Sequence, residues 1–542
     1  MNRTIFFSRR LIPIQFFSLA FAVGIASTCS PWQTGIAAAE TNDRPNIIFI
    51  LADDMGIGDV SHNGGLAPTP HLDRLAAGGM RMTDAHTTSS VCTPTRYGIL
   101  TGRYNWRSRL KSGVLYGLDQ PLIPTERTTI ATFLKDRGYR TGVVGKWHLG
   151  LGWQAMGEGE IYPGTPESQR SRSYKELKKS GWTIDYSQPV SGGPSELGFD
   201  ESFIIPASLD MFPYVYLRSG RVVEEPTSVK AFHRPGPAAA SFEAVNCLRD
   251  FARESRQFIA SSGDQPFFLY LPLSSPHTPI VPSPAWQGES NLSEYGDFVM
   301  ETDWVVGQVL KQLDELNAIE ETLIVFTTDN GCSPQAKIPE LQAKGHSPNG
   351  NLRGHKADIY DGGHRVPFLV HWPNVVAAGT HTDQLVSTVD AFATFADVVE
   401  AKNEIPYDAG EDSFSFLPIL KGIDEAVRPY LIHHSINGSF AVRQGRWKLS
   451  LCPGSGGWSN PRPAKALKDN SLPPVQLYDL QSDIAETNNR IQEKPDIADS
   501  LSDLLVEAIA NGRTTPGNKV SNEGWPQTFT EPVLKVYPKL AP

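Results

Sequence analysis

The segment Asn46-Ile-Ile-Phe-Ile-Leu-Ala-Asp-Asp54 decides the fold of this chain. Its residues 47–52 form an uninterrupted apolar run, which is typical of a strand buried on both faces of a parallel sheet. Because such a strand is covered by helices, the segment predicts an α/β fold. The same reasoning places Asp53 and Asp54 at the carboxyl edge of that sheet, where ligands bind in folds of this class.

The sequence beyond this strand alternates apolar runs with helical stretches, as in an open, largely parallel sheet. Further strands are predicted at residues 141–145, 267–271, 323–327 and 367–372. Helices that precede three of these strands are predicted at about 129–137, 241–261 and 295–316. We therefore expect a large, mostly parallel sheet flanked by helices.

Changes in composition along the chain indicate how it is divided. Residues from about 150 to 240 are rich in Gly, Pro, Ser and charge, and they predict loop insertions over one end of the sheet. After residue 428 the sequence predicts a hairpin, a further strand and a closing helix, at 439–451, 477–480 and 491–510. We predict a catalytic domain over 45–428 and a smaller, antiparallel α+β subdomain over 429–542.

The N-terminus has the features of an export signal. Arginines within the first ten residues precede an apolar run from Leu11 to about Ala26, and Ala37-Ala38-Ala39 fits a cleavage site. We predict a signal peptide over residues 1–39 and a secreted or periplasmic protein with no transmembrane span in its mature form. Cys29 imperfectly matches a lipoprotein signal, so a lipid anchor is the less favoured alternative.

Composition excludes several classes of protein. A chain with 40% hydrophobic and 20% charged residues is not disordered as a whole. A net charge of −10 excludes nucleic-acid binding by bulk electrostatics, so no nucleic-acid partner is expected. Five scattered cysteines do not form a disulfide scaffold, and no CxxC or Cys/His cluster in the sequence indicates zinc.

Polar side chains follow four of the predicted strands directly. In chain order they are Asp53 and Asp54, then Lys146 and His148, then His277, then Asp329 and Asn330. The acids and the amide offer only oxygen ligands, which suit calcium or magnesium better than zinc or copper. The sequence therefore predicts a hard-cation site; the alternative is that these acids only cap tight turns.

The motif Cys92-Thr-Pro-Thr-Arg96 is the most specific in the chain. Pro94 favours a helix start, which places Cys92 near the positive end of that helix. Arg96 lies about one turn later, so its side chain can return to Cys92. The alternative interpretation is a free cysteine that caps a helix.

This motif, followed by Tyr97-Gly-Ile-Leu-Thr-Gly102, resembles the signature of the type I, formylglycine-dependent sulfatases of the alkaline-phosphatase-like superfamily. The resemblance extends from about residue 45 to residue 489. Further motifs that carry it are Asp53-Asp-Met-Gly56, Gly145-Lys-Trp-His-Leu-Gly150, Pro276-His-Thr-Pro279, Thr328-Asp-Asn-Gly331, Leu352-Arg-Gly-His-Lys356, Ala441-Val-Arg443, Trp447-Lys-Leu449 and Leu477-Tyr-Asp-Leu480.

The resemblance implies a reaction and a role for each matching residue. In that family a maturation enzyme converts the motif cysteine to formylglycine. The matured sulfatase then hydrolyses sulfate esters with the help of calcium. The implied calcium ligands are Asp53, Asp54, Asp329, Asn330 and the modified Cys92. The resemblance matches Arg96 and His148 to the residues that hold the hydrated aldehyde. On chemical grounds Asp329 is a candidate base, and His277 or a neighbouring lysine can protonate the departing alcohol. The implied sulfate-binding residues are Lys146, His277 and Lys356.

Some features fall outside these roles. The acid that follows Lys356 is Asp361, where the family usually has Glu, and this shorter acid affects only a supporting hydrogen bond. Histidines without a motif are interpreted as structural: His71, His355, His364, His433 and His434. Asp210, Tyr214 and Tyr216 either line a substrate-selecting loop or are packing residues. If Cys92 is modified, at most one disulfide forms among Cys247, Cys332 and Cys452.

Rival functions are a phosphatase or a phosphonate monoester hydrolase of the same superfamily, and a non-catalytic carbohydrate-binding protein on this scaffold. A phosphatase is expected to use Ser or Thr as nucleophile and, commonly, histidine-rich zinc ligands. The intact Cys-x-Pro-x-Arg motif at 92–96 and the absence of those histidines argue against it. A binding protein is expected to have lost Cys92, Asp329 or the lysines, and all are present. The favoured substrate is a sulfated carbohydrate of galactose or N-acetylgalactosamine type, with other sulfate esters, such as small aryl sulfates, as the alternative.

Overall fold

The computed structural model describes residues 44–157, 181–526 and 528–542. The predicted signal peptide over 1–39, with Cys29, lies outside the described residues, as do residues 158–180 of the predicted insertions. None of the helices in the described ranges is both long and apolar enough to cross a membrane.

A mixed sheet of ten strands forms the centre of the described chain. The strands of the described residues up to residue 272 are β1 (Asn46–Ala52), β2 (Met80–Met82), β3 (Ala85–His86), β4 (Arg140–Lys146), β5 (Glu201–Ile205), β6 (Leu217–Arg218), β7 (Arg221–Val222), β8 (Pro226–Ala231), β9 (Pro235–Ala239) and β10 (Phe267–Pro272). They are followed by β11 (Thr322–Thr328), β12 (Leu369–His371), β13 (Thr380–Thr382) and β14 (Val386–Ser387). The order in the large sheet is β13-β2-β12-β11-β1-β10-β4-β5-β6-β7.

The middle of this sheet is parallel, from β11 through β1, β10 and β4 to β5. Phe49 in β1 lies opposite Tyr270 on one side and Val325 on the other, and all three are fully buried. This double burial is why the strand sequences are apolar without alternation. Toward both edges the pairing becomes partly antiparallel, at β12 on one side and at β6 and β7 on the other.

Helices pack against the sheet in two groups. Those of the described residues are α1 (Pro70–Gly78), α2 (Cys92–Thr101), α3 (Ile130–Lys135), α4 (Cys247–Ala260), α5 (Glu294–Glu315), α6 (Ile338–Ala343), α7 (Ala391–Val398), α8 (Leu417–Leu420), α9 (Pro463–Ala466), α10 (Pro495–Asn511) and α11 (Glu531–Val536). One group joins α1, α4 and α5, and the other joins α2, α3 and α7. The predicted class, a mostly parallel sheet flanked by helices, is confirmed.

A second sheet lies near the C-terminus. Its strands are β15 (Leu431–His434), β16 (Phe440–Gln444), β17 (Trp447–Ser450) and β18 (Gln476–Asp479). They pair antiparallel in sequence order, and α10 packs on β16 and β17. This arrangement confirms the antiparallel α+β element that the sequence predicts after residue 428.

The segment between residues 150 and 240 was predicted to form loop insertions, but its described residues also contribute strands to the large sheet. It contributes β5, which pairs parallel with β4, and β6 and β7, which complete that edge of the large sheet. Because these strands are short and interrupted by turns, their apolar runs are too brief to stand out in the sequence. Among the described residues of this segment, the β8–β9 hairpin alone forms a sheet separate from the large one.

Candidate active site

Four neighbouring strands end at one place on the sheet. β11, β1, β10 and β4 lie side by side and run parallel, so their carboxyl ends open onto a single edge. The structure brings together there the polar residues that follow these strands, each of them buried: Asp53, Asp54, Lys146, His148, His277, Asp329 and Asn330. Gly145 allows the end of β4 to lie this close to the end of β10, because a Cβ at that position would lie 1.9 Å from the carbonyl oxygen of Pro272.

The oxygens after β1 and β11 form one buried cluster. The Asp54 backbone N–H donates to Asp329 Oδ1 at 3.3 Å, and Asn330 Nδ2 donates to Asp54 Oδ1 at 2.7 Å. Asp54 has φ +66° and His148 has φ +57°, conformations that are uncommon for residues with a side chain. Strained backbone of this kind concentrates at functional sites, where the surrounding structure enforces it.

Arg96 extends from α2 into this cluster and is fully buried. Its Nε and Nη2 both donate to Asp329 Oδ2, at 3.0 and 2.7 Å. Its Nη1 donates to the carbonyl oxygen of Lys146 at 2.9 Å, and Nη2 lies 3.8 Å from Asp53 Oδ2. Arg96 therefore fixes the ends of β11 and β4 relative to the start of α2.

Cys92 is the first residue of α2 and is only 3% exposed. Its Sγ lies 3.6 Å from Lys356 Nζ. Burial raises the pKa of the thiol to about 12, although the charges of Lys146 and Lys356 act in the opposite direction. An unmodified Cys92 is thus protonated at neutral pH, and a protonated thiol is a poor nucleophile.

The two lysines of the site point at the two acids after β1. Lys146 Nζ lies 2.5 Å from Asp53 Oδ2, and Lys356 Nζ lies 2.5 Å from Asp54 Oδ1. Together with Arg96, they supply three positive charges against the three carboxylates of the cluster.

The two histidines take different positions. His277 Nε2 lies 3.6 Å from Asp54 Oδ2, at the rim of the carboxylate cluster. His148 Nε2 donates to the carbonyl oxygen of Leu115 at 2.7 Å, which leaves Nδ1 as a buried acceptor without a partner among the described residues. Burial lowers the pKa of both imidazoles, assisted by the positive charge of Lys356 at His277 and of Lys146 at His148.

The pKa values of the two fully buried acids Asp53 and Asp329 are shifted in opposite directions. Burial opposes ionisation of Asp53, but the charges of Lys146, His277 and Arg96 together outweigh it and hold its pKa well below the usual range. Burial, reinforced by the charge of Asp53, raises the pKa of Asp329 to about 6. A carboxyl group with a pKa near neutrality is suited to accept and return a proton.

The cluster could hold a metal ion. Ligand atoms of Asp53, Asp54, Cys92 and His277 lie within 4.8 Å of one another. Asp53 Oδ1 and Asn330 Oδ1 are buried and have no hydrogen-bond partner among the described residues. Unpaired buried oxygens are costly unless something binds them, and carboxylate and amide oxygens are the ligands that calcium prefers. The residues present therefore fit this ion.

Sequence reasoning missed two supporting residues. Ser208 Oγ lies 3.2 Å from Lys146 Nζ and 3.1 Å from a ring nitrogen of His277. The Tyr295 hydroxyl donates toward the Asp54 carbonyl oxygen at 3.2 Å and lies 2.5 Å from Asp59 Oδ2. Neither residue belongs to a motif, so only the tertiary structure identifies it.

The residues with open interpretations have distinct surroundings. Tyr214 and Tyr216 pack among aromatic rings, with Tyr216 stacked on Phe203 at 4.7 Å, which favours the packing interpretation. Asp210 pairs with Arg234, and its buried Oδ1 has no partner within the described chain. The positive charge of His277 helps to lower the pKa of Asp210, against the effect of burial, so Asp210 lies close to the site.

Two further expectations concern residues around the site. Asp361, which stands where the resemblance leads us to expect Glu, lies with its Oδ1 2.7 Å from Lys448 Nζ. Cys92, Cys247, Cys332 and Cys452 are all buried and unpaired.

Comparison with known proteins gives consistent matches. The sulfatase family model matches residues 45–401. An N-acetylgalactosamine-6-O-sulfatase of Bacteroides thetaiotaomicron is 33% identical over 513 residues, covering 86% of this chain and 93% of that protein. Human arylsulfatase A is 32% identical over 500 residues, covering 89% and 91%. The steryl-sulfatase of Rattus norvegicus is 33% identical over 433 residues, covering 74% of each.

Solved structures agree with these matches. One from work on the metabolism of multiple glycosaminoglycans by Bacteroides thetaiotaomicron has a TM-score of 0.73 and 31% identity, covering 86% of this chain and 99% of that one. A phosphonate monoester hydrolase of Agrobacterium radiobacter has a TM-score of 0.51 and 18% identity, covering 89% and 100%. The second likeness concerns the fold alone, so the fold does not separate these two chemistries.

Proposed function

Because the chain belongs to the sulfatase family and is a sulfuric ester hydrolase, we propose that it removes sulfate from a sulfated carbohydrate. The reaction uses a formylglycine made from Cys92 by a maturation enzyme, together with one calcium ion. The observation that carries this proposal is the convergence of four strand ends on a buried cluster of three acids, one amide and three cations around Cys92. The likeness to an N-acetylgalactosamine-6-O-sulfatase supports a galactose- or N-acetylgalactosamine-type substrate.

The proposal assigns each residue a role. Asp53, Asp54, Asp329 and Asn330 hold calcium together with the modified Cys92. Calcium, when bound, supplies positive charge that acidifies a neighbouring hydroxyl and neutralises sulfate oxygens. Formylglycine, if formed there and hydrated, would supply two hydroxyls on one carbon: one that could attack sulfur as the alcohol departs, and one whose deprotonation would re-form the carbonyl and release sulfate.

The chain's own residues position the ester and move the protons. Lys146 and Lys356 turn from their carboxylate partners toward the sulfate oxygens and stabilise the charge that grows there. Asp329 Oδ1 accepts the proton of the attacking hydroxyl, for which a pKa of about 6 suits it. His277 donates a proton to the departing alcohol, and His148 Nδ1, a buried acceptor, takes the proton when sulfate is released.

A cavity beside the cluster offers room for the sugar. It has a volume of about 540 Å³ and is lined by Thr278, the neighbour of His277, and by His233, Gln335 and Lys344. Ile280, Leu292 and Leu341 add apolar surface to the lining, so the cavity suits a sugar, which carries hydroxyl groups as well as apolar ring faces. We place the carbohydrate there, with its sulfate directed at Lys146 and Lys356.

The raised pKa of Cys92 favours this function over a thiol-dependent reaction, because a buried neutral thiol neither attacks nor leaves readily. The phosphatase and phosphonate hydrolase alternatives predict different substrates. A panel of sulfated mono- and oligosaccharides of defined linkage, with matched phosphate and phosphonate esters, separates them. We expect turnover of one or a few sulfated sugars; rapid hydrolysis of the phosphorus esters with none of the sulfate esters would contradict the proposal.

The metal assignment predicts a selective response to chelation. Because the proposed ligands other than the modified residue are carboxylate and amide oxygens, EGTA should abolish turnover and calcium should restore it better than zinc. Asp54→Asn keeps the side-chain shape but removes one negative charge, so calcium content and turnover should fall together. Full activity in a calcium-free, zinc-loaded preparation would contradict the assignment.

Asp210 should contribute to recognition of the sugar. Its buried, unpartnered Oδ1 can accept a hydrogen bond from a substrate hydroxyl, and in Asp210→Asn an N–H group replaces that acceptor while the oxygen facing Arg234 is kept. We expect kcat/KM for the carbohydrate sulfate to fall roughly 10-fold, with little change for a small aryl sulfate. Equal losses on both substrates would show that Asp210 acts on the sulfate-binding part of the site instead.

We propose a signal peptide over 1–39, a catalytic domain over 45–428 and a C-terminal subdomain over 429–542, in a secreted or periplasmic protein. Identifying the N-terminal residue of the mature protein tests the proposed signal peptide over 1–39.

A further inference from the structure

A further buried acid lies behind the carboxylate cluster and has no role in the proposed reaction. Asp59 is fully buried in the turn that follows β1, five residues after Asp54. Its Oδ2 accepts a hydrogen bond from the Gly56 N–H group at 2.7 Å, so the carboxylate closes this turn on itself. A buried carboxylate is costly unless several hydrogen bonds satisfy it, so the other partners of Asp59 are informative.

Two further donors reach Asp59 from distant parts of the chain. The Tyr295 hydroxyl, at the start of α5, lies 2.5 Å from Asp59 Oδ2, and His346 Nε2 lies 2.8 Å from Oδ1. The Leu66 N–H group donates to His346 Nδ1 at 3.3 Å, which makes that nitrogen the acceptor and places the ring proton on Nε2, facing Asp59. Tyr295 and His346 are both buried. We refer to Asp59, Tyr295 and His346 as the support residues.

The support residues connect directly to the backbone of Asp54. The Tyr295 hydroxyl lies 3.2 Å from the Asp54 carbonyl oxygen as well as 2.5 Å from Asp59, so its proton is shared between the two in a three-centre hydrogen bond. Asp59 in turn holds the Gly56 N–H group, two residues after Asp54. The support residues thus hold the chain on the carboxyl side of Asp54.

Asp54 requires such support because its backbone conformation is unfavourable. Its φ of +66° is uncommon for a residue with a side chain, and such a conformation persists only when the surrounding structure enforces it. A Cβ at Gly56 would lie 2.1 Å from the Pro348 carbonyl oxygen, so the turn also packs directly against the segment that carries His346. The position of the Asp54 carboxylate therefore depends on contacts made behind it.

We propose that the support residues are positioning residues that fix the Asp54 carboxylate for calcium. This inference rests on the calcium assignment of the proposed function. Both oxygens of Asp59 already accept hydrogen bonds, so the support residues act through the backbone of Asp54 rather than on the ion itself. Losing one of them should weaken calcium binding and leave the chemistry of the loaded enzyme intact.

The test measures calcium binding by Tyr295→Phe, which removes the shared hydroxyl and keeps the ring. Matured enzyme is stripped of calcium with EGTA, freed of the chelator and titrated with calcium in a calorimeter. We expect the dissociation constant for calcium to rise about 10-fold, as when residues that orient metal ligands are removed. At saturating calcium, kcat should stay within about twofold of the parent value, because the reacting groups are unchanged.

Tyr139→Phe is the matched control. Tyr139 is also buried, and its hydroxyl donates to the Pro45 carbonyl oxygen at 2.8 Å, at the opposite end of β1. This variant loses a comparable buried hydrogen bond, so its Tm should fall as in Tyr295→Phe while its calcium affinity stays that of the parent. A folded Tyr295→Phe with the calcium dissociation constant of the parent would overturn the inference.

Two variants of His346 give an independent measurement, which decides if Tyr295→Phe does not fold. His346→Leu removes the donor to Asp59, whereas His346→Gln can place an amide N–H group near the position of Nε2. Calcium affinity should fall in the leucine variant and recover in the glutamine variant. Parent-like affinity in His346→Leu, or an equal loss in both, would contradict the role of this hydrogen bond. A parent enzyme that binds no calcium would instead overturn the calcium assignment, and the inference with it, so the two failures are distinguishable.

Discussion

Replacement of Cys92 by serine should abolish turnover while leaving substrate binding largely intact. The serine hydroxyl lies in nearly the same place as one hydroxyl of the hydrated aldehyde, near the carboxylate cluster and Lys356. It can attack sulfur once, but a serine sulfate has no second hydroxyl on the same carbon with which to expel sulfate. We expect kcat to fall on the order of 10⁴-fold or more, as when a nucleophile is removed from other hydrolases.

Two mass-spectrometric measurements check this prediction. In wild-type protein from a host with the maturation enzyme, the peptide spanning Cys92 should carry an aldehyde in place of the thiol. In the serine variant incubated with substrate, the same peptide should gain at most one sulfate. Cys247→Ser, which changes a buried thiol outside the site, should retain full turnover. An unmodified thiol in fully active enzyme, or repeated turnover by Cys92→Ser, would point to a phosphatase-like pathway.

Removal of the Lys356 charge should produce the second largest loss. Lys356 Nζ lies 2.5 Å from Asp54 Oδ1 and 3.6 Å from Cys92 Sγ, so it can reach a sulfate bound between them. Without it, one fewer cation opposes the negative charge that grows on the sulfate oxygens. We expect kcat/KM to fall on the order of 10²-fold or more in Lys356→Met, which keeps the length of the side chain.

The controls for this prediction separate charge from shape. Lys356→Ala should lose as much activity as Lys356→Met, because the ammonium group carries the effect. Lys311→Ala, which changes an exposed lysine of α5, should leave kcat/KM unchanged. Calcium content should be measured in each variant, so that a lost ion is not mistaken for a lost sulfate contact. Unchanged kcat/KM in Lys356→Met would remove this residue from the site.

Much of the fold was predictable because its central strands are buried on both faces. The runs at 46–52, 267–271 and 323–327 are apolar without alternation, and the structure places strands there with bounds within one residue. The edge of the sheet was not predictable, because β5, β6 and β7 are short and lie in a segment rich in turn residues. Their place in the sheet depends on contacts with β4 that no local pattern encodes.

The site shows the same division between local and tertiary information. Asp53, Lys146 and Asp329 were identifiable because each follows a recognisable strand, and parallel strands bring their ends together. Ser208 and Tyr295 lack such a signal, and only packing places them beside the cluster.

If Cys92 is oxidised as proposed, its burial has a consequence for the biogenesis of the enzyme. A modifying enzyme must bind the backbone around its target residue. In the folded chain, however, every residue of α2 is buried. The proposed oxidation therefore belongs to the nascent or newly exported chain, before α2 packs. Under this proposal, protein that folds with an intact thiol would stay inactive until it unfolds again. The yield of active enzyme then depends on the rate of Cys92 oxidation relative to the rate of folding.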